Sequence, residues 1–134
     1  MGVAASEILH VCSGSLPPGQ GLRVDLRRER RPDVVADGRA LPFADGSVTA
    51  VMIDPPYSVE YAEVLYETDY PRPSALLREA ARVVCPGGRI GFLHFLVPGL
   101  PEGLRFVRCL GVTTGLGYRI RAFSIFARAE EALL

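Results

Sequence analysis

The apolar run Val48-Thr49-Ala50-Val51-Met52-Ile53 stops at Asp54-Pro55-Pro56-Tyr57, and no other stretch constrains the fold as much. Two consecutive prolines lack N–H donors and hold φ fixed, so a strand that reaches them has to leave its sheet. A buried strand that ends this way delivers a rigid polar mouth at a sheet edge: a carboxylate, accepting carbonyls and an aromatic ring. An amino group that must be desolvated and made nucleophilic needs acceptors for its N–H bonds beside a π-face. The plain alternative is a surface turn with an incidental tyrosine. The strand-then-loop context favours the catalytic reading.

Other strand candidates bracket this one. Residues 8–12 run into Ser13-Gly14-Ser15, residues 22–25 end at Asp25, and residues 33–37 end at Asp37-Gly38. Residues 90–97 are apolar at nearly every position, as expected of a strand covered on both faces. Ser74 is the expected N-cap of a helix, with Pro73 outside it and Ala75, Leu76, Leu77, Ala80, Ala81, Val83 and Val84 as its apolar face. Pro86-Gly87-Gly88 is the expected stop. Residues 104–110 and 118–126 read as a hairpin around Gly115-Leu116-Gly117. The four strands up to Ile53 thus each bring polar groups to one edge, where open α/β sheets bind their ligands.

Asp-Pro-Pro-Tyr at the end of the fourth strand resembles the catalytic motif of the amino-methyltransferases that use S-adenosylmethionine. Residues 8–129 resemble a compressed class I methyltransferase. The resemblance implies an α/β, Rossmann-like sheet of parallel strands with a C-terminal antiparallel hairpin and few helices, in one domain spanning residues 1–134. It implies that Cys12, Ser13, Gly14 and Ser15 hold the methionine part of S-adenosyl-L-methionine. Asp25 would accept from the ribose hydroxyls and Asp37, with Gly38 beside it, from the adenine amino group, while Leu41 and Phe43 would cover the adenine plane. Asp54, Pro55, Pro56 and Tyr57 would form the catalytic mouth, with Asp54 also bordering the cofactor. Asp54 and the Pro55 carbonyl would hold the target amine, Tyr57 would stack on the base, and no metal or covalent intermediate is required.

Composition narrows the setting. Apolar residues make up 49% and charged residues 22%, which suits a globular chain. The net charge is zero, so no global field draws the protein to nucleic acid or to an anionic membrane. All fifteen basic side chains are arginine. Cys12, Cys85 and Cys109 lack zinc-site spacing and the density of a secreted scaffold, which points to reduced thiols in the cytoplasm. No segment has the length and apolarity of a membrane span. His10 and His94 fall inside strands and read as core histidines, with His94 close to the fourth strand.

Departures from the family pattern carry consequences. Leu16-Pro17-Pro18-Gly19 excludes a helix between the first two strands, although parallel crossovers usually use one. With a single substantial helix, the sheet should keep bare apolar surface, to be covered by a homodimer or a partner protein. No segment resembles a target-recognition domain. Arg23, Arg27, Arg28, Arg30 and Arg31 form either a phosphate grip or a solvated loop, whereas Glu60, Glu63, Glu67 and Asp69 would repel phosphates near the mouth. Three functions fit: a methyltransferase for nucleobase amines, with DNA as partner; the same enzyme acting on an RNA, protein or small-molecule amine; or a non-catalytic methyltransferase-like subunit.

Overall fold

The computed structural model describes Ala4, residues 7–58 and residues 70–130. Strands β1 (Ile8–Val11), β2 (Leu22–Asp25), β3 (Val34–Val35), β4 (Val48–Ile53), β5 (Val84–His94), β6 (Leu104–Val112) and β7 (Arg121–Arg128) make one sheet. Its order is β3-β2-β1-β4-β5-β7-β6, parallel from β3 to β5, with β7 antiparallel to both neighbours. This is the expected Rossmann-like α/β sheet with a C-terminal hairpin. Strand order reverses between β1 and β4, which is where a ligand crevice opens in such sheets.

Alternation along the strands sorts side chains onto two faces. Leu9, Val11, Val24, Val51, Ile53, Ile90, Phe92 and Phe126 are buried on one of them. Helix α1 (Pro73–Val83) packs into the same core through Leu76, Leu77, Ala80 and Val83, a single stripe at helical spacing. Both of its ends differ from expectation. Arg72 is the N-cap and Pro73 the first helical residue, because a helix start leaves that N–H unbonded in any case. The helix ends at Val83, before Pro86-Gly87-Gly88, and Val84 is already extended at φ −70° and ψ 139°.

Pairing with β4 explains this early end. It sets Val84 opposite Val48, so the Pro-Gly-Gly segment becomes the start of β5. A Cβ on Gly88 would lie 2.7 Å from the Thr49 carbonyl oxygen, so only glycine lets the two strands approach this closely. At its other end β5 stops at His94, so Phe95, Leu96 and Val97, expected inside the strand, lie exposed beyond it. β3 is likewise shorter than residues 33–37.

The opposite face carries no helix among the described residues. Residues 12–21 cross from β1 to β2 as a loop, and side chains of that face hold it. His10 Nε2 pairs with the Gln20 carbonyl at 2.9 Å, and Arg23 donates to the Leu16 carbonyl at 3.2 Å. Further along, Met52, Leu93, Phe123 and Ile125 are only half-buried and Leu110 is exposed. Among the described residues, the bare apolar surface expected from the missing crossovers lies mainly on β4, β5, β7 and β6. The arginine cluster divides: Arg23 and Arg27 are buried in ion pairs with Asp33 and Asp25, while Arg28, Arg30 and Arg31 are exposed. No helix among the described residues is long and apolar enough to cross a membrane. Tyr61, Tyr66 and the acids Glu60, Glu63, Glu67 and Asp69 lie outside the described residues.

Candidate active site

The site begins where β1 ends. Cys12 takes a left-handed conformation at φ 59°, which costs a non-glycine residue about 1–2 kcal/mol. Gly14 follows at φ 53°, and together they turn the backbone sharply beneath the sheet edge. The Ser13 N–H donates to the Val24 carbonyl at 3.0 Å, and the Gly14 N–H donates to Asp25 Oδ2 at 2.8 Å. Asp25 Oδ1 accepts from the backbone N–H of Arg27 at 2.9 Å and from its Nε at 3.3 Å. The acid at the end of β2 is therefore a buried strut between the first loop and Arg27.

Asp37, beyond β3, repeats the arrangement. It accepts from the Arg39 backbone N–H at 2.8 Å, and Arg39 Nη2 reaches it at 2.7 Å. Each of these acids is thus bonded by the arginine two residues on. Asp25, Asp37, Gly38, Arg39, Leu26, Leu76, Cys12 and Pro56 line a hollow of about 40 Å³. A larger hollow, about 270 Å³, adjoins it through Cys12 and Pro56 and is lined by Ser13, Gly14, Ser15, Arg27, Arg30, Asp54, Pro55 and Tyr57. Burial, together with the carboxylates of Asp25, Asp54 and Asp37, pushes the Cys12 thiol up to about 12. Three strand-end acids thus converge around one neutral thiol.

The mouth is built at the end of β4. The Asp54 N–H donates to the Val11 carbonyl at 3.3 Å, tying the motif to β1, and Pro55 and Pro56 are buried. Tyr57 Oη donates to Asp54 Oδ1 at 2.8 Å and accepts from Arg121 Nη1 at 2.9 Å. Asp54 Oδ2 has no hydrogen-bond donor among the described residues. Burial of the carboxylate raises the Asp54 pKa, while the Tyr57 hydroxyl and Arg121 pull it back. Burial and the Asp54 hydrogen bond push Tyr57 up to about 12, so its hydroxyl stays a donor. The Tyr57 ring packs on Phe95 at 4.7 Å and meets the His94 edge at 5.4 Å. His94 is buried behind the mouth, with Nε2 at 3.2 Å from Tyr70 Oη and Nδ1 accepting from the Leu96 N–H at 3.3 Å. Burial lowers its pKa, which keeps the ring neutral.

Most of the residues singled out in the sequence come together here. Cys12, Ser13, Gly14, Ser15, Asp25, Asp37, Gly38, Asp54, Pro55, Pro56 and Tyr57 all line one of the two hollows. Two apolar residues do not. Leu41 is taken into the core, and Phe43 lies with Ile8 and Val48 at the other end of the strands, so Leu26 and Leu76 supply the apolar walls instead. The sequence reading missed Arg39 and Arg121. Arg39 was legible in principle, since an arginine two residues after an acid closes a local turn. Arg121 reaches Tyr57 only through the β5–β7 register.

A Rossmann-like sheet with an acid at or just beyond the end of each of β2, β3 and β4 is the arrangement of a nucleotide-binding α/β fold. The profile described as "Methyltransferase domain" matches residues 19–92, more than half of the chain, and the chain belongs to that family. It is 39% identical over 82 residues to a demethylmenaquinone methyltransferase of Corynebacterium efficiens. That stretch is 61% of this chain and 31% of the relative, so the chain spans well under two thirds of it. Among solved structures it resembles TrmN from Thermus thermophilus, with a TM-score of 0.61 and 20% identity, covering 90% of this chain and 43% of that one. It also resembles the Haloferax volcanii methyltransferase solved with the Trm112 methyltransferase activator, with a TM-score of 0.67 and 14% identity, covering 100% of this chain and 87% of that one.

The family's cofactor is S-adenosylmethionine, and the residues present fit it. Ser13, which lines the larger hollow, has a buried Oγ without a hydrogen-bond partner among the described residues. Asp25 Oδ2 accepts from the Gly14 N–H and keeps lone-pair capacity for a hydroxyl. Leu26 and Leu76 offer apolar contact for a ring. When bound, the cofactor supplies a methyl group already activated on sulfur.

Proposed function

We propose that this chain is the catalytic core of a methyltransferase that methylates an exocyclic amine of a nucleobase, with DNA as the acceptor. The observation that carries the reading is the Asp54-Pro55-Pro56-Tyr57 mouth, which lines the larger hollow and has one carboxylate oxygen fixed by Tyr57. Asp54 Oδ2 and the Pro55 carbonyl accept the two amine N–H bonds, which aims the nitrogen lone pair into the hollow and strips water from it. The raised pKa of Asp54 suits it to take the proton the amine sheds. Tyr57 and Phe95 form an aromatic wall for the base, and Tyr57 also orients Asp54. Asp25 would hold ribose hydroxyls, Asp37 the adenine amino group, and Cys12, Ser13, Gly14 and Ser15 the methionine part. Three free cysteines suit a reducing cytoplasm.

Transfer of labelled methyl from S-adenosylmethionine tests the reading, with DNA, RNA and free nucleosides as acceptors. DNA should be labelled on an amino group, and Asp54→Ala should abolish labelling while cofactor affinity stays within a few-fold. Full turnover by Asp54→Ala would make the motif structural. A second reading, methylation of a quinol ring, draws support from the 39% identity to the demethylmenaquinone enzyme and from the apolar rim at Phe95. Labelling of a demethylated quinol in place of nucleic acid would establish it.

A further inference from the structure

The mouth is bordered by a feature that no step above uses. Between residues 103 and 129 the chain carries Arg105, Arg108, Arg119, Arg121 and Arg128 and no acidic residue, in a protein whose net charge is zero. This stretch is the β6–β7 hairpin, and β6 is the edge strand of the sheet. Arg128 is spent internally on the Arg82 and Val84 carbonyls, and Arg121 on Tyr57. Arg105, Arg108 and Arg119 are exposed, and no ion pair to them exists among the described residues. Arg105 pairs with Ala127 and Arg108 with Ile125, which puts both on the bare sheet face.

The hairpin tip is apolar. Leu116 is 100% exposed, Ile120 71% and Tyr118 69%. A tight turn sets Leu116 outermost, with the Tyr118 N–H donating to the Gly115 carbonyl at 3.4 Å. The tip connects to the catalytic mouth through successive contacts. Arg119 lies over the Phe95 ring at 5.7 Å, Phe95 packs on Tyr57, and Tyr57 holds Asp54.

We propose that the β6–β7 hairpin is the DNA-engaging element of this protein: its arginines grip phosphates along the edge strand, and Leu116, Tyr118 and Ile120 push into the base stack beside the mouth. Apolar side chains wedged between base steps unstack them, and an enzyme that works on a base has to draw it out of the duplex. An all-cationic strip complements the phosphate backbone, and arginine's fork suits bidentate phosphate contacts. The hairpin thereby takes the part of a recognition segment. The assignment rests on the nucleobase reading above for its position beside the acceptor.

Fluorescence anisotropy of a labelled short duplex tests it with the full chain, alongside an adenine analogue whose emission rises on unstacking. The intact protein should bind the duplex with strong salt dependence and raise the emission. A Leu116→Ser/Ile120→Ser variant should lose the emission rise and about tenfold in affinity. Arg105→Gln/Arg108→Gln/Arg119→Gln should weaken binding and flatten its salt dependence. Both variants alter exposed positions, and circular dichroism checks their fold. Hairpin-dependent duplex binding without methylation of any nucleic acid would sustain this inference and remove the acceptor reading. Wild-type binding by both variants would overturn it, whatever DNA methylation shows. So would association with anionic phospholipid vesicles in place of DNA, or apolar-tip variants that change only the oligomeric state.

Discussion

Tyr57→Phe removes one hydroxyl and keeps the ring, so it isolates what that hydroxyl does to Asp54. The hydroxyl donates to Asp54 Oδ1 at 2.8 Å and takes a hydrogen bond from Arg121 at 2.9 Å. A hydrogen bond to a charged group is worth about 1.5–3 kcal/mol. Asp54 is solvent-accessible, and screening reduces that to roughly 1 kcal/mol. At about 1.4 kcal/mol per unit, the Asp54 pKa should rise by roughly half to one unit. The sign follows from its environment: burial already holds the value above 3.8 by disfavouring the anion, and the Tyr57 bond opposes burial. A folded-state value above the unfolded one means that ionised Asp54 costs stability, a cost relieved as pH falls through the folded-state value. Tyr57→Phe should therefore be less stable than wild type at neutral pH, with the gap narrowing in acid. A carboxyl-carbon NMR titration of Asp54 reads the shift without any acceptor, and the acid limb of methyl transfer should move upward with it. An unchanged Asp54 titration in Tyr57→Phe would refute this account of the mouth.

Asp25→Asn and Asp37→Ala should each weaken cofactor binding by about 1.5–3 kcal/mol in calorimetry, and full affinity in both would remove the cofactor assignment. Gly88→Ala should cost about 1–3 kcal/mol in urea unfolding, because its Cβ would meet the Thr49 and Cys85 carbonyl oxygens at 2.7 and 2.9 Å. Gly99→Ala, with nothing within 4 Å, should stay within about 0.5 kcal/mol. The half-bare face formed by Met52, Leu93, Phe123, Ile125 and Leu110 should drive self-association, so light scattering should report a dimer at micromolar concentration. A monomer there would mean that the face is stable in water or covered by a different protein.

The sequence by itself determined the sheet and the edge on which the site lies. Val48–Ile53 and Leu22–Asp25 were legible to the residue, because an apolar β-branched run that ends at Asp54-Pro55, and a short alternating segment that ends at Asp25, each have a clear place to stop. Local chemistry of that kind, proline geometry and strand-end acids, needs no knowledge of neighbours. Tertiary structure decided everything that depends on which strand lies beside which. Val84 became a strand residue and not a helix end because β4 offered it a partner. Leu41 went to the core because α1 and the sheet closed over it, leaving Leu26 and Leu76 to line the hollow. Arg121 reached Tyr57 across 64 residues of chain because β7 lies antiparallel beside β5. Hydrogen-bond propensity and apolar patterning act over a few residues, whereas register is fixed only when the whole sheet packs, and the mouth's electrostatics are set by register.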